Sequence, residues 1–158
     1  MLLKFFVDYP HVVYAIIAWG YIFAFIRLKG IKRLWPMSIF GSCFLFGATY
    51  WLTTIGLYKF NEIFMPIMGI PLFYIIWGAA SGLIFAYYLG EKLVHRLIAI
   101  LAFSGIVVFM ENFVEDINGA EHLGKFNIIY EYTFDVMVLA TFAFLITNLF
   151  KRRLSVKR

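Results

Sequence analysis

Long apolar stretches separated by short polar connections dominate the hydrophobic pattern of this chain. A helix needs about 20 mostly apolar residues to cross the hydrocarbon core of a bilayer. By that measure the sequence predicts five transmembrane helices, at about residues 11–28, 34–58, 72–89, 94–115 and 127–150. The predicted fold class is therefore all-α, an integral membrane bundle of five transmembrane helices that forms a single domain over residues 1–158.

Composition agrees with a bilayer as the solvent. Hydrophobic residues make up 63% of the 158 residues, and the mean hydropathy is +0.86. A soluble domain of this size needs more polar residues to cover its surface. The net charge is +5, and the basic residues lie in short clusters between apolar stretches. We therefore expect the lipid bilayer and not nucleic acid as a partner.

The basic residues predict an orientation. Eleven of the 14 lysines and arginines lie between the first and second predicted helices, between the third and fourth, or after the fifth. The remaining three, Lys4, Lys59 and Lys125, lie in the segments on the opposite side of the membrane. Cytoplasmic connections of membrane proteins carry the excess of basic residues. The sequence thus predicts a multi-pass membrane protein with the N-terminus outside and the C-terminus in the cytoplasm.

Four carboxylates at the ends of the last two apolar stretches are the main candidate chemistry. Glu111 and Glu115 are four residues apart, as are Glu131 and Asp135, so each pair shares one helix face. In an antiparallel hairpin the spacing sets Glu111 opposite Asp135 and Glu115 opposite Glu131. Counted from the basic ends, the first pair lies several residues inside the hydrocarbon and the second near its outer edge.

Two facing carboxylates in a membrane repel each other, so keeping both ionised costs free energy. We therefore expect that one of them holds a proton or that a cation lies between them. Three uses remain open: an ion or metal site, a proton-exchanging pair, or a site for a cationic group. His11 is expected at the same level, and it or His122 could complete a metal site with Glu111 and Asp135. The sequence requires no cofactor, although a cation is a candidate. Candidates for the polar site are Glu111, Asp135, Glu115, Glu131, Asn112 and His11.

A structural role for the same carboxylates is the alternative. Hydrogen bonds from Asn112, Tyr130, Tyr132 and Thr133 could satisfy them without any ligand. The hydroxyls of Thr49, Tyr50, Thr53 and Thr54 could face the same cavity, but bonds to their own helix backbone are favoured.

Two other features concern packing. Gly78 and Gly82 have the small-xxx-small spacing of close helix contacts, within the bundle or at a seam with a second copy or another membrane protein. The apolar segment 59–71, with two prolines and a glycine, is expected to lie in the interface or to fold over the mouth of the bundle.

Residues 56–89, GLYKFNEIFMPIMGIPLFYIIWGAASGLIFAYYL, carry a resemblance. Gly-Leu-aromatic, a short connection and then Gly-Ile-Pro-Leu-Phe opening a helix resemble small uncharacterised multi-pass membrane proteins of Gram-positive bacteria. More distantly, the segment is similar to the lycopene cyclase domain. That domain has paired acidic residues after its Gly-x-Pro turn, where this chain has Leu72, Phe73 and Tyr74. The resemblance implies a bacterial inner-membrane bundle and transfers no catalytic residue.

Three functional hypotheses follow. The first is a binding, transport-accessory or interaction protein whose carboxylates hold a cation or a basic group. The second is an enzyme acting on a lipid or isoprenoid, with Glu111 or Asp135 as general acid. The third is a purely structural membrane subunit. The chain has no phosphate-binding loop, zinc-protease motif or serine-hydrolase motif, which disfavours those enzyme classes.

Overall fold

Helices form most of the chain in a computed structural model, which describes residues 8–61, 63–117, 120–123 and 127–150. The all-α prediction is confirmed. The five helices are α1 (Pro10–Tyr21), α2 (Arg27–Thr54), α3 (Leu72–Tyr88), α4 (Leu93–Asp116) and α5 (Ile128–Leu149).

The first two helices are not separated by a loop. A π-helical turn, Ile22–Ile26, joins α1 directly to α2, so the basic connection predicted at 29–33 is helical. Turns of this type occur where a helix is distorted. The sequence shows no glycine or proline inside this turn that would have marked the distortion.

Contacts with α3 show that α1 and α2 run in opposite directions. The ring of His11 packs on Tyr74, and the hydroxyl of Tyr21 pairs with that of Tyr88 fourteen residues further along α3. On α2 the order is inverted, because Gly30 lies near Tyr87 and Thr49 bonds to Tyr74. The chain direction therefore reverses between α1 and the body of α2.

Close backbone contact holds α2 against α3. A Cβ added to Gly82 would lie 2.6 Å from the carbonyl oxygen of Met37 and 2.7 Å from the Cα of Gly41. A Cβ on Gly78 would lie 2.7 Å from the side chain of Leu45. Both glycines of the small-xxx-small pair are thus used inside this chain, where two helices approach too closely for a side chain.

In the part of the chain that the structure describes, four short strands depart from the purely helical expectation. Strand β1 (Tyr58–Phe60) pairs antiparallel with β4 (Ala120–His122), which sets Tyr58 opposite His122. Strand β2 (Pro66–Ile67) pairs with β3 (Ile70–Pro71). The second predicted helix ran to residue 58, but α2 ends at Thr54 because Gly56 has a φ of +72° and the chain then enters β1.

Within the apolar segment 59–71, Phe60, Ile70 and Pro71 are buried against the bundle, whereas residues 65–69 are exposed. Phe60 is buried between the rings of His11 and Tyr74. Further on, Met68 and Gly69 both have positive φ, as the two central residues of a type I′ hairpin turn do. Glu62 lies outside the described residues.

Two helices, α4 and α5, are long and apolar enough to cross a bilayer. Only 22% and 17% of the residues in their most apolar windows are buried against the rest of the chain. Large apolar side chains on them are open to the surroundings, among them Phe109 at 74% and Ile129 at 71% exposed.

Candidate functional site

Three carboxylates from two helices line one small cavity at the end of the bundle where α4 ends and α5 begins, here called the acidic end. Glu111 of α4 and Glu131 and Asp135 of α5 face a space of about 30 Å³. A buried water needs about 10–15 Å³ of such space. The cavity therefore has room for one or two water molecules or a small ion.

Hydroxyl groups from two other elements complete the walls. Tyr74 of α3 donates a hydrogen bond of 2.5 Å to Oε1 of Glu111, and Thr49 of α2 lies 3.4 Å from the Tyr74 hydroxyl. Tyr58 of β1 lines the same space. The Tyr74 hydroxyl thereby links α3 to Glu111 of the α4–α5 hairpin.

Glu131 is the most buried of the carboxylates, with 4% of its surface exposed. Its Oε2 accepts a hydrogen bond of 3.1 Å from the side-chain amide of Asn112. The same amide nitrogen also donates to the backbone carbonyl of Val108. Asn112 therefore satisfies one oxygen of a carboxylate, as the structural alternative from the sequence expected in part.

His122 of β4 joins the two carboxylates that were expected to face each other. Its Nδ1 lies 2.8 Å from Oε2 of Glu115, and its Nε2 lies 3.5 Å from Oε1 of Glu131. Its backbone N–H donates to the other oxygen of Glu115 at 3.2 Å. The pair Glu115–Glu131 thus shares an imidazole between its members.

The imidazole is positively charged at neutral pH. Burial lowers the pKa of His122, but the hydrogen bonds and charges of Glu131 and Glu115 outweigh it and raise the pKa to about 9. Tyr58, the residue opposite it in the strand pair, has its pKa raised well above the usual value by burial and by the charge of Glu111. The Tyr58 hydroxyl therefore remains a hydrogen-bond donor.

Negative charge exceeds positive charge at this site. Four carboxylates, Glu111, Glu115, Glu131 and Asp135, lie at this site with one imidazolium, which contacts Glu115 and Glu131. Oδ2 of Asp135 is buried without a hydrogen-bond partner among the described residues. Lys59 lies at the acidic end but pairs with Glu121 at the surface, where both side chains are largely exposed.

The metal-site candidates do not come together as ligands. His11 is buried between aromatic rings, and neither of its nitrogens has a hydrogen-bond partner in the described part of the chain. Across the described residues, no group of three or more His, Cys, Asp and Glu side chains is placed to hold a metal ion. His11 is therefore part of the aromatic packing beneath Phe60.

Three of the four side chains expected to satisfy the carboxylates bind elsewhere. Tyr130 is 60% exposed, Tyr132 bonds to the carbonyl of Leu101, and Thr133 bonds to the carbonyl of Ile129. On α2, Thr53 and Thr54 bond to the carbonyl of their own helix at Tyr50, which confirms the favoured interpretation for that pair. Thr49 is the exception and reaches the site.

Sequence reasoning gave no role at the site to Tyr58 and Tyr74. Tyr74 donates a hydrogen bond to Oε1 of Glu111, and Tyr58 lines the same cavity. Comparison with family models, with curated protein sequences and with solved structures finds no match to this chain.

Proposed function

We propose that this chain is a five-span membrane protein whose outward-facing carboxylate site binds protons, in a binding or transport-accessory role. The observation that carries the proposal is the shared cavity of Glu111, Glu131 and Asp135, which has one imidazolium beside it and little more room than a water molecule needs.

The outer surface of the helices supports the membrane assignment. Large apolar side chains stand exposed on α1, α2, α4 and α5, for example Ile17, Ile39, Phe109 and Phe144, each more than half exposed. A soluble protein rarely exposes a contiguous apolar surface of this extent. In a bilayer, lipid chains cover these apolar side chains and act as their solvent.

The separation of charges supports five spans with the N-terminus outside. Arg33, Gly90 and His95 line one groove, which brings the α1–α2 reversal and the α3–α4 connection to the same end of the bundle. Lys29, Lys32 and Lys92 also belong to these connections, which we call the basic end. In a bacterial plasma membrane, the positive-inside rule sets this end in the cytoplasm and the carboxylates outside.

Electrostatics favour bound protons at the acidic end. Charges close together in a medium of low dielectric repel strongly, and one imidazolium balances only one of four carboxylates. The remaining negative charge must be neutralised by protons or by a cation. A proton fits the cavity, because Oδ2 of Asp135 is buried without a hydrogen-bond partner among the described residues and can carry one. No group of three or more His, Cys, Asp and Glu side chains among those residues is placed for a metal ion.

Thiol accessibility tests the topology. In a Cys43→Ser background, Glu121→Cys at the acidic end should react with a membrane-impermeant maleimide on intact cells. Lys92→Cys, at the basic end, should react only after the membrane is opened. The reverse pattern, or equal labelling of both cysteines, contradicts the proposed orientation.

Potentiometric titration of the purified full chain tests proton binding. Asp135→Asn and Glu111→Gln should each bind fewer protons than the parent protein at neutral pH. Asp116→Asn, at an exposed position on the same helix as Glu111, is the matched control and should leave the proton count at neutral pH unchanged. If the parent and both site variants bind the same number of protons at neutral pH, the proposal of proton binding is wrong and the structural-subunit hypothesis remains.

A second candidate function has one observation in its favour. An open apolar groove of about 430 Å³ between α2 and α5 shares three wall residues with the carboxylate cavity, Ala48, Phe134 and Val138. An enzyme acting on a lipid or isoprenoid needs such a lateral groove beside its general acid.

Incubation with a bacterial polar lipid extract tests the enzymatic alternative. The parent protein would convert a component of the extract, and Glu111→Gln and Asp135→Asn would not. A lipid profile that is identical with and without the parent protein excludes this activity for the lipids of that extract.

A further inference from the structure

A second groove, lined by none of the four carboxylates of the acidic end, begins at the basic end and runs between α4 and the pair of helices α1 and α3. Its wider part encloses about 720 Å³. A narrower apolar part of about 350 Å³ continues along the same face and shares Tyr88, Phe103 and Ile106 with it. Neither part belongs to the carboxylate site.

The groove is polar only at its mouth. Arg33, Glu91 and His95 line the mouth at the basic end, and Arg96 is anchored there by a 3.0 Å hydrogen bond from its Nε to the carbonyl of Gly90. Beyond the mouth the walls are apolar and aromatic side chains such as Ile98 and Phe103. Arg33 in the lining and Arg96 on the carbonyl of Gly90, against the single Glu91, give the mouth a positive balance.

The length of the groove matches the length of one acyl chain. The apolar walls supplied by α4 extend from Ile98 to Met110, thirteen residues separated by twelve helical rises. At 1.5 Å per residue this is roughly 18 Å. Half of the ~30 Å hydrocarbon core is about 15 Å, which is the depth that a single acyl chain reaches from one interface.

We infer that this groove binds a phospholipid with an anionic head group, its phosphate at Arg33 and one acyl chain between α4 and the α1–α3 pair. The choice of an anionic lipid rests on charge complementarity at the mouth, since anionic lipids of the cytoplasmic leaflet attract basic residues. The inference rests on the membrane topology proposed above, but not on proton binding at the acidic end.

Native mass spectrometry of the detergent-purified full chain tests the inference, with phosphatidylglycerol and phosphatidylcholine of identical acyl chains as probes. The parent protein should retain phosphatidylglycerol in preference. Arg33→Gln should weaken that retention about tenfold, the effect of one lost charge-assisted contact. Lys32→Gln is the matched control, because Lys32 is a neighbouring basic residue that does not line the groove.

A second variant keeps the test decisive if Arg33→Gln disturbs folding. Ala102→Trp, at an exposed position in the groove wall, should reduce retention of both lipids by filling the space for the chain. Ala140→Trp, exposed on α5 and outside the groove, should not. Equal retention of the two lipids by the parent, or unchanged retention in Ala102→Trp, overturns the inference. The thiol-labelling pattern, measured separately, shows whether the topology stands.

Discussion

His122 Nδ1 lies 2.8 Å from Oε2 of Glu115, and the same glutamate also accepts the backbone N–H of His122. The contact joins β4 to the last turn of α4. It fixes a positive charge at the rim of a cavity that is otherwise lined by carboxylates and hydroxyls. The stability of the acidic end should therefore depend on the protonation of one imidazole.

This dependence gives a pH prediction. The pKa of His122 is raised from 6.5 to about 9, so the folded state binds its proton more tightly than the unfolded chain does. The stabilisation is fully present below about pH 6.5 and is lost as the pH rises through about 9. His122→Gln should lower the free energy of unfolding by about 1–2 kcal/mol at pH 6, an amount reduced by solvent around Glu115.

Thermal unfolding in detergent, followed by circular dichroism between pH 6 and pH 10, measures this effect. The parent and His122→Gln should converge towards pH 10. His95→Gln, an exposed histidine on α4, should follow the parent at every pH. A constant difference between the parent and His122→Gln across the range would show that the imidazolium has no special role.

Tyr74→Phe should weaken the connection between α3 and α4. The variant removes the 2.5 Å hydrogen bond to Glu111 and leaves a carboxylate short of a donor. Hydrogen bonds between membrane helices contribute about 0.6 kcal/mol on average and up to about 1.7 kcal/mol, and this short bond to a carboxylate belongs at the upper end. Tyr132→Phe is the control, since its hydroxyl makes only a 3.4 Å contact at an exposed position. Equal melting temperatures for the two variants would contradict the assigned role of Tyr74.

Gly82→Ala should destabilise the α2–α3 contact by about 1–3 kcal/mol, because the new methyl group meets the backbone of α2. Gly105→Ala is the matched control: no atom lies within 4 Å of its added Cβ. Alanine forms helix more readily than glycine, so the control should be neutral or stabilising by up to about 1 kcal/mol. If Gly82→Ala melts at the temperature of the parent or above, the two helices are further apart than described here.

The carboxylate site was partly predictable because it is built on a local hairpin. Antiparallel helices bring residues of constant summed index to one level, and Glu111, Glu131 and Asp135 do share a cavity. The spacing of charges along two apolar stretches carries that information without any knowledge of the rest of the fold.

The position of the His122 imidazole between Glu115 and Glu131 could not be predicted from the sequence, because it depends on a strand pairing over a long sequence separation. Strand β1 pairs with β4 more than 60 residues away, through only three residues on each side. Segments as short as YKF and AEH have no periodicity that would mark them as strands. The π-helical turn between α1 and α2 could not be predicted either. The basic residues that follow this turn are compatible both with the end of a helix and with a continuous helix.

Infrared spectroscopy of the purified protein tests the central claim most directly. A protonated carboxylic acid has a carbonyl band that is distinct from that of a carboxylate and shifts in heavy water. We predict this band at neutral pH in the parent and in Asp116→Asn, and its loss or reduction in Asp135→Asn or Glu111→Gln. A parent spectrum without the band at neutral pH, in which all the carboxylates are ionised, would contradict proton binding at this site.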